Sequence, residues 1–268
     1  MSQVNRVTIS RLTEEGKSRA DDVVVTEFPL TIVLNNQELV TLLCSPQNLD
    51  YLAVGFLSSE GLLKSKGDIK KVTVDEQRGV VRVETEEENK QAGEMVFKRL
   101  ITSGCGRGAS FYSPADVGGG IKIESQAKIS ALEVFELVSD FQHRSQIFKA
   151  TGGVHSAALY DTKSILIFNE DIGRHNAIDK IFGECILKDI PTADRILVTS
   201  GRVSSEILLK AAKRDIPLLI SKSAPTDLGV KLANDLGVTL IGFVRGKRMN
   251  VYANDWRVVS HGWRTGTG

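Results

Sequence analysis

The sequence predicts an α/β protein with a mostly parallel sheet covered by helices on both faces, preceded by a smaller β-rich α+β domain. Three observations carry that prediction. The second half alternates short apolar, β-branched runs with helix-period segments of about 10–15 residues, the pattern of successive βαβ units. The first half is richer in extended segments separated by turn signals. Between them lies a connector at 113–120, with Pro114 and the run Gly118-Gly119-Gly120. The expected domains are therefore residues 1–120 and 121–268.

In chain order, residues 1–20 are polar and read as loosely held. DVVVTEFPLTIVL at 22–34 is extended, Asn35-Asn36 is a turn, and 39–43 is the return strand. Asn48 precedes LDYLAVGFLSSEG, which has helical spacing and a Gly61 stop. Residues 69–74, 80–83 and 95–101 read as further strands, with the acidic run at 84–88 on a solvated edge. The 95–101 strand leads into a glycine-rich loop, TSGCGRG. Residues 129–149 have helical apolar spacing. HSAALYD and SILIFNE are then strands, RHNAIDKIFGECILKD a helix, RILVTS a strand and VSSEILLKAAKRD a helix. PLLISK, DLGVKLANDLG and TLIGFV continue the alternation, and MNVYAND forms a last strand.

Composition narrows the function classes. Hydrophobic residues at 41% and charged residues at 25% supply a sizeable core without disulfides or metal. Lys and Arg total 34 against 33 Asp and Glu, so a bulk basic surface for coating nucleic acid is excluded, and a local basic pocket is not. Three widely spaced cysteines, Cys44, Cys105 and Cys185, form no CxxC, which argues against a disulfide framework and against structural zinc. The amino-terminal residues carry no apolar signal core, and no apolar run is long enough to span a bilayer. The expectation is a soluble, cytoplasmic protein with no nucleic-acid or membrane partner.

In a parallel sheet the carboxyl ends of the strands share one edge, and ligands bind in the crevice there. The loops at that edge are polar. They carry Asp171, Gly173, Arg174, His175 and Asn176; then Ser200, Gly201, Arg202 and Ser204; then Ser221, Lys222, Ser223 and Asp227; then Arg245, Gly246, Lys247 and Arg248. Three of the loops lead into helix amino termini, which suit phosphate, and the arginines add bidentate donors. Ordinary turns and caps use the same residue types. Four such loops on one edge point further, to a polyanionic ligand. No GxGxxG or P-loop spacing is present, so a dinucleotide or Walker site is not supported. His155, at a strand start, is open to two readings: a ligand or base, and the commoner packed imidazole. His143 and His261 read as incidental.

The cysteines differ in setting. Cys185 falls in an apolar helix and Cys44 at a strand end, and both read as small buried hydrophobes. Cys105 lies between glycines, two residues before Arg107, a setting suited to a reactive thiolate. No definite base is placed beside it.

TSGCGRG, TGGVHSAAL, EDIGRHNAIDKI, TSGRVSSEILLKAAKRDIPLLISKSAPTDLGVKLA, GFVRGKRMNVY and the upstream LDYLAVGFLSSEGLL together resemble the FdhD family over roughly residues 25–253. The resemblance implies a three-layer α/β/α sandwich similar to cytidine deaminase, with a smaller amino-terminal part. It implies a sulfurtransferase or sulfur carrier needed for formate dehydrogenase. In that role Cys105 takes sulfane sulfur from a cysteine desulfurase as a persulfide and delivers it to the bis-molybdopterin guanine dinucleotide cofactor. The cofactor-contacting stretch implied is Phe243, Val244, Arg245, Gly246, Lys247 and Arg248, joined at the crevice by Arg174, His175, Gly201, Arg202, Ser223 and Asp227. Asp171 or Asp227 would accept hydrogen bonds from guanine. A homodimer is implied, with formate dehydrogenase as client. Deaminase zinc chemistry does not carry over, because His155 is followed by Ser156 and Ala157 and no PCxxC occurs. Many family members have a CxxC where this chain has Cys105-Gly106-Arg107-Gly108. A mechanism with a resolving thiol in that motif is thereby put in question, whereas a persulfide needs one acceptor only. Two alternatives stand beside this reading. One is a chaperone that hands over the cofactor without covalent sulfur transfer; the other is a nucleotide-handling enzyme of deaminase ancestry.

Overall fold

The computed structural model describes residues 1–86 and 120–259. The expected strand at 95–101, the loop with Cys105, Arg107 and Gly108, the connector at 113–119 and His261 lie outside the described residues.

The apolar runs of the second half form one six-stranded sheet. Its strands are β8 (His155–Tyr160), β9 (Ile165–Asp171), β10 (Ile196–Thr199), β11 (Leu218–Ser221), β12 (Thr239–Arg245) and β13 (Arg248–Ala253), in the order β13-β12-β11-β10-β8-β9. β10, β11 and β12 pair in parallel, and the β8–β9, β8–β10 and β12–β13 pairs are antiparallel. Four strands, β9 to β12, therefore run one way, and β8 and β13 run against them. The departure from an all-parallel arrangement has a simple cause. Parallel neighbours need a crossover of a dozen or more residues. β8 and β9 are joined instead by a tight turn in which the Asp161 carboxylate accepts the amides of Lys163 and Ser164, and β12 and β13 by Gly246-Lys247, with Gly246 at φ 58°.

Alternate residues of the central strands bury on opposite faces, which is why these strands read as continuous apolar runs. Ala157, Leu159, Leu197, Leu219 and Leu240 face helices that carry Ile178, Ile181, Ile207, Leu208, Leu232 and Leu236. Ala158, Tyr160, Val198, Ile220 and Ile241 face Val134, Leu137, Val138 and Phe141. The latter four belong to α2 (Ala131–Arg144), which a reciprocal Ser130–Glu133 capping box starts and α3 (Gln146–Thr151) follows. The opposite layer is α4 (Arg174–Leu187), α5 (Ser205–Ala212) and α6 (Asp227–Leu236). The three-layer α/β expectation therefore holds.

In the first half, β3 (Phe28–Leu34), β4 (Gln37–Cys44), β5 (Ile69–Asp75) and β6 (Val80–Thr85) form a sheet in the order β4-β3-β6-β5. Leu30, Ile32, Leu34, Val81 and Val83 pack on Leu52, Ala53 and Leu57 of α1 (Leu49–Ser59). α1 in turn lies on α4. The helices cross where Gly55 meets Gly183: a methyl group at Gly55 would lie 1.8 Å from the Asp179 carbonyl oxygen, and one at Gly183 1.8 Å from that of Tyr51. Residues 1–20 depart from expectation. They are not loose but paired, as β1 (Val4–Thr13) against β2 (Gly16–Val25), with Val4 opposite Val25 and Ile9 opposite Ala20. Charged residues between the apolar ones hide this alternation in the sequence. A last short pair joins β7 (Ile129–Ser130) to β14 (Val258–Val259).

Candidate functional site

Because β9 to β12 share a direction, the loops that follow them emerge at one edge, as the sequence reading requires. β8 runs the other way, so its first residue, His155, also stands there, opposite Asp171 of β9. The loops knit into a continuous rim. Val203 bridges Pro225, and the Val203 amide donates to the Ala224 carbonyl. The Ser221 hydroxyl donates to the Gly201 carbonyl at 2.8 Å. The Phe243 amide donates to the Ser223 carbonyl at 3.1 Å. Gly201 is a glycine because Arg174 leans on it: a Cβ there would stand 2.8 Å from Arg174 Cβ. The rim thus brings together Arg174, His175, Gly201, Ser223, Phe243 and Arg245.

The remaining predicted residues have differing settings. Arg202 is exposed beside Gly201. Arg245, Gly246, Lys247 and Arg248 form the exposed tip of the β12–β13 hairpin, and the Arg245 guanidinium lies 5.6 Å from the Phe243 ring. Phe243 holds φ 54° in a bulged stretch, unusual for a bulky residue. Val244 is 1% exposed in the core beneath α2, so its side chain is closed to a ligand and only its backbone is left to contact one. Asp227 is an exposed first-turn residue of α6, where a carboxylate complements the helix dipole; Thr226 accepts the Gly229 amide and caps that helix.

Asp171 needs correction. It is fully buried, and all its capacity is engaged. Oδ1 accepts the Gly173 amide and Asn176 Nδ2, each at 2.9 Å. Oδ2 accepts the Ser45 amide at 3.0 Å and Lys180 Nζ at 2.7 Å. It is therefore no acceptor for guanine. Lys180, equally buried, also donates to the carbonyls of Ser45 and Glu170. The pair fixes the turn that starts α4 and ties it to the chain between β4 and α1.

Among the described residues the rim gathers cations, and burial pushes its imidazoles down. Burial pushes the Lys222 ammonium down, and neighbouring Arg245 adds to this. Burial, with Lys210, Arg174 and His155, drives His175 down to about 3. Its Nε2 is 3.6 Å from Glu206 Oε2, too long for a hydrogen bond. Burial first, then Arg174, lowers His155, with Asp171 opposing. The thiols of Cys44 and Cys185 are both buried, and burial raises each to about 12. Both are inert, as their sequence settings suggested.

The FdhD/NarQ family model matches residues 25–259, nearly the whole chain after the β1–β2 hairpin. The chain belongs to the FdhD/NarQ family. Sulfur carrier protein FdhD of Bacillus subtilis is 46% identical over 246 residues, covering 91% of this chain and 94% of that protein. Its counterpart of the same name in Staphylococcus aureus is 40% identical over 247 residues, 92% of this chain and 93% of that protein. A crystal structure of a candidate formate dehydrogenase accessory protein from Desulfotalea psychrophila superposes with a TM-score of 0.80. It is 24% identical and covers 96% of this chain and all of that one, and it bears on the fold alone. Membership of the family places the TSGCGRG and GFVRGKR segments within the matched span. Among the described residues, no helix is long and apolar enough to cross a membrane.

The sequence reading left His155 open between a ligand or base and a packed imidazole, and it placed Lys222 in a strand-tip loop without giving it a role beside the arginines. The signal for both was available: each directly adjoins the rim end of a strand.

Proposed function

We propose that this chain is a sulfur carrier that serves formate dehydrogenase, with Cys105 as the acceptor. The thiolate of Cys105 attacks the outer sulfur of a cysteine desulfurase persulfide. The donor's S–S bond breaks, the donor cysteine leaves as thiolate, and a persulfide remains on Cys105, with no external oxidant. The cargo is then delivered to the bis-molybdopterin guanine dinucleotide cofactor bound as substrate at the strand-tip rim. The observation that carries the reading is the near-full-length likeness to proteins named sulfur carriers. The cysteine inventory supports it: of three cysteines, Cys44 and Cys185 are sealed with raised thiols, which leaves Cys105.

The rim supplies what a phosphate-bearing cofactor requires. Amide donors stand at the starts of α4, α5 and α6, with Arg174 beside them and the Arg245, Lys247 and Arg248 cations at the hairpin tip. Incubation with a desulfurase and cysteine should add the mass of one sulfur to Cys105, and Cys105→Ala should leave formate dehydrogenase inactive in cells. An active dehydrogenase with Cys105→Ala would instead assign the chain to cofactor delivery without covalent sulfur transfer. Arg245→Ala combined with Arg248→Ala should weaken guanosine diphosphate binding about tenfold or more, two charge-assisted contacts being removed. Unchanged affinity by calorimetry would move the cofactor away from the hairpin tip.

A further inference from the structure

His155 stands at the rim, and among the described residues its Nε2 has no hydrogen-bond partner. As the first residue of β8 it shares a face with Ala157 and Leu159, the face that α4 and α5 cover, and it lies at the open end of that layer. Its Nδ1 is 3.3 Å from Ser200 Oγ. That oxygen already accepts the Ser156 amide at 3.0 Å. Among the described residues, Nδ1 is the acceptor left for the Ser200 hydroxyl proton. The ring proton then sits on Nε2, and no described residue accepts from it. The groups that face the ring are Asp171 from β9, Arg174 and His175 from α4, and Ser200 before α5. Asp171 is committed to Lys180, and Arg174 is the cation that acts on the ring.

We propose that His155 is a further binding residue of the strand-tip site, donating from Nε2 to an anionic oxygen of a diphosphate held beside Arg174 at the start of α4. This rests on the reading of the rim as the seat of a phosphate-bearing ligand. It goes further by assigning a titrating contact. Burial and Arg174 disfavour charge on the free ring. A diphosphate at Nε2 reverses that balance and favours the imidazolium. Binding then takes up a proton at the ring, and affinity falls as pH rises through the ring's value in the complex.

The test is calorimetry with guanosine diphosphate between about pH 5.5 and 8, where an imidazole changes charge, in buffers of different ionisation enthalpy. Full-length wild type is compared with His155→Gln and His155→Ala, with folding checked by thermal unfolding. His155→Gln keeps an amide donor and cannot change charge, so the ligand's own titration cancels in the comparison. Wild type should take up more protons than His155→Gln and gain affinity on acidification beyond that variant, the two converging toward pH 8. His155→Ala should bind about tenfold more weakly, as for loss of one charge-assisted hydrogen bond. If wild type binds with the same pH profile and proton uptake as His155→Gln, the assignment of His155 is overturned while the rim remains the ligand site. If wild type binds no diphosphate at all, the reading of the rim itself fails, and the assignment with it.

Discussion

At the scale of single residues, burial among other cations keeps His175 uncharged, and this sets how the fold responds to acid. In the unfolded chain this imidazole titrates near its ordinary value of 6.5, and in the folded one at about 3. Between those values the unfolded state holds the extra proton, so the ring's contribution to stability is complete above 6.5 and is lost as pH falls toward 3. His155, also lowered, acts in the same direction. Denaturant unfolding at stepped pH should show stability falling below about pH 6.5, and His175→Gln should flatten that fall. An identical slope in the variant would mean that other groups govern the acid limb. The sequence displayed His175 plainly. Its neutrality was not legible there, because burial, its main cause, belongs to the fold, and Lys210, which adds to it, lies thirty-five positions along the chain.

At the scale of elements, α1 and α4 cross in backbone contact, and two glycines in otherwise ordinary helical segments permit it. Glycine inside a helix costs about 1 kcal/mol relative to alanine, so an isolated helix would gain from Gly183→Ala. Here the added methyl meets the Tyr51 carbonyl oxygen at 1.8 Å, and the helices must part. Overpacking costs roughly 1–3 kcal/mol, occasionally more. Gly183→Ala should therefore destabilise by about 3 kcal/mol in urea unfolding, and an unchanged midpoint would show that the crossing yields freely. The helices themselves were legible from apolar spacing and from stops such as Gly61. Their crossing was not, since nothing in IFGECIL announces which glycine meets another chain segment. The β1–β2 hairpin was missed for a related reason. Its alternation is diluted by charge, and its pairing becomes apparent only when both strands are laid side by side.

At the scale of the whole molecule, the two larger sheets, each with its own apolar packing, are joined by a buried polar seam. The Asp171–Lys180 pair, Asn176 donating to the Leu43 carbonyl, and Asn48 donating to Asn169 bind the end of β4 and the segment before α1 to β9, the β9–α4 turn and the start of α4. That turn starts the helix carrying Arg174 and His175, so the seam also sets the rim. Breaking a buried pair on one side strands a charge at a cost of about 3–5 kcal/mol. Lys180→Met should destabilise by that order, and adding Asp171→Asn should recover part of the loss. If the double variant is less stable than Lys180→Met, Asp171 holds the turn chiefly through its amide donors rather than through the lysine.

The sequence by itself determined the α/β class, the order of strands and helices from His155 to Ala253, and the family. These follow from local periodicity and from motif strings, which need no knowledge of distant neighbours. It also marked the loops that converge at the strand tips, because strands of one direction place their following loops on one edge. Tertiary structure alone decided that Asp171 is a sealed structural carboxylate, that Val244 turns into the core, and that His155 stands at the rim against Ser200. Each depends on which remote groups fold against the residue, and burial and pairing belong to neighbours in space rather than neighbours in the chain.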